Sequence, residues 1–72
     1  MKLTVKAEAL FVSALQPSED CSAARLEATI EASLERFGGP AGCAQHLAAE
    51  FGDHPETAVP RMRWALDLVS TP

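Results

Sequence analysis

The chain has 72 residues and a formal net charge of −4, enough for one domain that buries only ~60% of the surface its unfolded form exposes. The acidic balance disfavours nucleic-acid binding by general electrostatic attraction, which needs clustered Lys and Arg, and no apolar run approaches the ~20 residues of a membrane span. Aliphatics and alanine supply most of the apolar content beside one Trp and three Phe, so a thin, alanine-spaced core is expected.

A first helix is predicted over residues 5–15, where Ala7, Leu10, Phe11, Ala14 and Leu15 repeat at the spacing of one helical face. The basic start, Met1-Lys2, has the sign of a signal peptide, but Glu8 interrupts the apolar stretch and leaves it too short for one. Gln16-Pro17 ends the helix. Ser18 or Asp20 is then suited to cap a second helix over residues 19–37. Its apolar face is Ala23, Leu26, Ile30, Leu34 and Phe37, with Glu27, Glu31 and Glu35 along one border and Arg25 and Arg36 near the other. Ala24, Ala28 and Ala32 form a row of small residues on its back. That row allows close approach of another helix; high helix propensity alone also accounts for it.

Gly38-Gly39-Pro40 reads as a stop and a restart. A third helix over residues 40–51 is expected to bury Cys43, Ala44, Leu47, Ala48 and Phe51, with Gly52 closing it. Pro60 is costly inside a helix, so the fourth is placed over residues 58–69 with Thr57 as its N-cap and residues 53–57 as a turn. Val59, Met62, Leu66 and Val69 form its expected core stripe. Trp64 and Leu68 lie nearly opposite, next to Arg61, either sandwiched by other helices or presented to a partner. The fold class is all-α: a compact bundle of four short helices forming one domain, residues 1–72. The last two form a helix-turn-helix-like hairpin. Helices two and four are expected to carry the main core, and helix one to cover it.

The helix-turn-helix pattern rests on Leu47-Ala48, Gly52, Val59 and Met62. Asp53 replaces the apolar residue that usually follows the turn glycine, and the outward face of the second helix would show Arg61, Arg63, Trp64, Asp67 and Leu68, a poor set for reading bases or phosphates. Cys43, His46 and Glu50 share one edge of helix three, with His54 and Cys21 as further zinc-type donors, but a small core residue and a solvated flank explain them more simply. No metal or other cofactor is expected. Cys43 and His46 also lack an orienting third group or oxyanion donor, so no enzyme activity is expected. The two cysteines form no Cys-x-x-Cys pair and are read as free thiols of a reducing cytoplasm.

Gly42-Cys43-Ala44-Gln45-His46-Leu47-Ala48-Ala49-Glu50-Phe51-Gly52-Asp53-His54-Pro55-Glu56-Thr57-Ala58-Val59 and Arg61-Met62-Arg63-Trp64-Ala65, with Leu15-Gln16-Pro17-Ser18, resemble short alanine-rich actinobacterial proteins of unassigned function. The resemblance covers about the last 30 residues; it implies no activity and favours an accessory protein over a widespread enzyme. The functional expectation is a small non-catalytic interaction or regulatory module, possessing a protein partner or forming homo-oligomers. Its expected partner surface is Arg61, Arg63, Trp64 and Leu68, and its expected oligomer contact the Ala24/Ala28/Ala32 row. A helix-turn-helix-like DNA-binding accessory protein is the alternative.

Overall fold

The first three helices of this chain end where a particular residue supplies or withholds a backbone hydrogen bond. The computed structural model describes residues 2–70 and is all-α, with α1 at Leu3–Phe11, α2 at Ala23–Phe37, α3 at Gly39–Asp53 and α4 at Pro55–Ser70. Every boundary but one differs from the spacing-based expectation.

α1 stops at Phe11, a turn before residue 15. The Ser13 hydroxyl donates to the Leu10 carbonyl at 2.6 Å and accepts from the Leu15 N–H at 3.3 Å, a local bond that competes with helix continuation. α2 starts at Ala23 because Glu19 is committed elsewhere. Its N–H donates to the Gln16 carbonyl and its carboxylate accepts from the Gln16 N–H, closing a turn over residues 16–19. The N-cap is therefore Ser22, whose hydroxyl accepts from the Arg25 N–H at 3.2 Å, in place of Ser18 or Asp20. The other end of α2 agrees with expectation: Gly38 takes a left-handed conformation, φ 82°, and its N–H returns to the Leu34 carbonyl.

Gly52 does not close α3. Its φ is not positive, and the helix continues to Asp53. Pro55 sets the limit by disfavouring a helical residue before it, and His54 accordingly adopts φ −139°. α4 then begins at Pro55, three residues before the expected start, because proline at the first helical position sacrifices no intrahelical N–H. Pro60 lies inside the helix. It has no N–H to donate to the Glu56 carbonyl, and both residues are exposed. α3 and α4 thus form a helix-turn-helix-like hairpin hinged on His54 alone.

The expected layering is inverted. α1 is the helix with the most buried side chains, and it and α3 each touch all three others. Ala7, Ala9, Leu10 and Phe11 are all buried, spanning roughly 200° of its circumference at 100° per residue. Leu15, Ile30, Cys43 and Ala65 complete the core around it. α2 and α4 lean against α1 from different sides, and no Cα of one comes within 8 Å of a Cα of the other. The radius of gyration, 11.2 Å, matches the ~11 Å of a compact domain of this length.

The face that α4 turns inward is also not the expected one. Val59 and Leu66, assigned to its core stripe, are 42% and 37% exposed, whereas Ala58 and Ala65 are buried at 3% and 0%. Met62 and Val69 keep partial contact with the core, and Trp64 and Leu68 join them there. Two alanines seven residues apart let α4 approach α1 closely, with Arg61 between them.

Candidate functional site

Arg61 explains the rotation of α4. α1 presents carbonyls without helical donors at its C-terminal end, and Arg61 answers them. Its Nε donates to the Phe11 carbonyl at 2.7 Å. One terminal nitrogen donates to Ser13 at 2.9 Å and Leu15 at 3.0 Å, with a longer contact to Leu10 at 3.5 Å. The guanidinium carbon lies 4.7 Å from the centre of the Trp64 ring and 5.9 Å from that of Phe11, a cation held between two π faces. Phe11 in turn stacks on Phe51 at 5.6 Å. Burial lowers the Arg61 pKa from its ordinary value, but the side chain stays charged because a guanidinium starts so high. Arg61 is thus the strut that fastens α4 to α1 and to the loop after it.

This geometry separates the four residues expected to form a partner surface. Arg61 is committed to backbone carbonyls, and Trp64 is half-buried under its guanidinium. Arg63 is exposed. Leu68 is half-buried and lines an open groove elsewhere. The outward face of α4 therefore offers Arg63 without Arg61. Ala24, Ala28 and Ala32 are exposed on α2; Ala32 borders a second cleft, of about 440 Å³, between α2 and residues 12–15.

The zinc-type residues do not converge. Cys43 is completely buried, its thiol 3.7 Å from the Ser33 carbonyl. His46 packs its ring on Phe37, 4.8 Å centre to centre. His54 lies beside Glu56 at 3.8 Å on the surface, and Cys21 is half-buried near the start of α2. Among the described residues no three His, Cys, Asp or Glu side chains are placed to hold a metal ion. Burial pushes the Cys43 thiol above its ordinary pKa, and the Glu8 carboxylate adds to the shift.

What the helices do build is a groove where the backbones of α2 and α4 stay apart. It encloses about 390 Å³, with Lys6 of α1 on its floor, Ala23, Leu26 and Ile30 along one wall and Leu68 and Val69 along the other. Glu27 and Glu31 complete the α2 wall. Both are exposed, and neither forms an ion pair among the described residues. Sequence reasoning identified the acidic border and Leu68 separately. It missed the groove, because a gap between two helices belongs to tertiary packing and has no periodicity of its own.

No family model, curated protein or solved structure matches the chain. No helix among the described residues is long and apolar enough to cross a membrane.

Proposed function

We propose that this chain is a small, non-catalytic protein-interaction or regulatory module of the cytoplasm that receives a helix of another protein in the α2–α4 groove. One observation carries the reading: two amphipathic helices lean on a shared helix, α1, with their backbones held apart, no Cα of one within 8 Å of a Cα of the other, leaving apolar side chains of both along an open channel. The α2 wall, from Ala23 to Glu31, runs about 12 Å at 1.5 Å per residue. That is two turns, the length over which a docking helix presents anchors at i, i+3 or i+4, and i+7. The volume lies at the low end of ligand clefts, ~300–1,000 Å³, but the channel is open along a helix rather than closed around a small molecule.

The remaining chemistry supports a binding role over catalysis. The one buried thiol is held protonated, and the histidine nearest to it in sequence packs against a phenylalanine ring. The free state of both cysteines suits a reducing compartment. An accessory role is also what the resemblance to short alanine-rich actinobacterial proteins implies.

Site-specific photo-crosslinking in the native cell tests the proposal, with the probe at Ala23 in the groove and, as control, at Gln45 on exposed α3. The expected result is a discrete heavier adduct from position 23 and none from position 45. Absence of an adduct at 23, or the same adducts from both positions, counts against the groove as the working surface.

A further inference from the structure

Building on the groove reading, we infer that the occupant is an amphipathic helix with a basic border, selected by the carboxylates of α2. Glu27, Glu31 and Glu35 stand one turn apart on α2 and are all exposed. No ion pair offsets them among the described residues, although like charges at this spacing repel each other. The arginines of the same helix are placed elsewhere. Arg25 pairs with Glu19, and Arg36 lies over the Phe37 ring, 5.5 Å from its centre; both line the cleft on the other side of α2.

The apolar wall and the acidic row therefore run side by side from Glu27 to Glu31, and the row continues one turn beyond the groove lining to Glu35. A helix seated on Leu26, Ile30, Leu68 and Val69 brings its own flank over that row. Lys or Arg residues at i, i+4 and i+8 on that flank meet three carboxylates in register, while its apolar stripe covers the groove. Lys6, on the α1 floor, is the cation facing the groove and accepts a neutral or acidic residue at the opposite border. A second copy of this chain fits less well: each copy carries −4, so self-association brings two like-charged bodies together.

The test uses fluorescence anisotropy of two labelled synthetic helical peptides with identical Leu stripes, one bordered by Lys at i, i+4 and i+8 and the other by Glu. The Lys peptide is expected to bind the full chain at least tenfold more tightly, with affinity falling as salt rises. In the triple variant Glu27→Gln, Glu31→Gln, Glu35→Gln the preference is expected to shrink to within about twofold while binding of the Leu stripe persists. Ala23→Arg obstructs the groove at an exposed position without touching the core, and is expected to abolish both interactions with helicity unchanged by circular dichroism. Equal binding of both peptides, lost in Ala23→Arg, overturns the basic partner and leaves the groove standing. Failure of both peptides to bind removes the groove as well, and concentration-dependent dimerisation blocked by Ala23→Arg assigns it to a second copy instead.

Discussion

Gly42→Ala and Gly52→Ala, two identical substitutions in one helix, are expected to move stability in opposite directions. Helix propensity favours alanine over glycine at both positions by up to ~1 kcal/mol. A Cβ at Gly52 meets nothing within 4 Å, whereas a Cβ at Gly42 stands 1.5 Å from the Phe37 carbonyl oxygen and 2.6 Å from its carbon. Restoring a tolerable contact of 3.0 Å requires about 1.5 Å of movement between the start of α3 and the end of α2. The obstacle is backbone next to Gly38 and Gly39, both already at positive φ, so no flexible side chain yields. Overpacking by a methyl group costs roughly 1–3 kcal/mol, and rigid backbone places this case at the top of that range. After the propensity gain, Gly42→Ala is expected to destabilise by about 2 kcal/mol and Gly52→Ala to stabilise by about 0.5–1 kcal/mol. At ~4–8 °C per kcal/mol for a domain of this size, thermal unfolding followed by circular dichroism should fall by roughly 8–16 °C in the first variant and rise by a few degrees in the second. A Gly42→Ala midpoint at or above that of the parent chain would refute the close crossing of α2 and α3.

Arg61→Ala removes the donors of the Phe11, Ser13 and Leu15 carbonyls and is expected to cost about 2–4 kcal/mol in urea unfolding, with Arg61→Lys near half of that because an ammonium lacks the planar fork. Trp64 emission should shift to the red in both, since the guanidinium over its ring is lost; unchanged stability and emission would show that Arg61 is not the strut. The raised pKa of Cys43 means that the folded chain keeps a proton which the unfolded chain releases above about pH 9, so the folded state binds more protons there and its stability falls as pH rises. Below that pH the contribution is fully present. Cys43→Ala should flatten the alkaline decline relative to the parent, and an identical slope in both would remove this assignment. In the native protein at pH 8, a thiol reagent should modify Cys21 well before Cys43; equal rates would contradict the complete burial of Cys43.

The fold was legible where one strong local signal acted alone. Gly38 stops α2 through its left-handed conformation, and the Leu26/Ile30/Leu34/Phe37 stripe marks the inner face of that helix. It was illegible where two signals competed and tertiary structure chose between them. Ser13 and Glu19 form local turns that override helical spacing on either side of Pro17, and Pro55 rather than Gly52 sets the α3–α4 hinge. The largest departure is the rotation of α4: apolar counting selects Val59 and Leu66, but the inner face is Ala58, Arg61 and Ala65. Alanine contributes little to such a count and arginine opposes it, yet together they allow close approach and cap the end of α1. The candidate site follows the same rule. Its acidic row and Leu68 were visible as residues, and their juxtaposition across α1 was not.

The central claim is that the α2–α4 groove, and not the outward face of α4, is where this chain binds. Amide chemical-shift mapping of the isotopically labelled chain, titrated with the Lys-bordered helical peptide, tests it most directly. Perturbations are expected at Lys6, Ala23, Leu26, Glu27, Ile30, Leu68 and Val69, with Arg63 and the α3–α4 hinge at His54 unmoved. Perturbations centred on Arg63 and His54, or none at saturating peptide, would contradict the account.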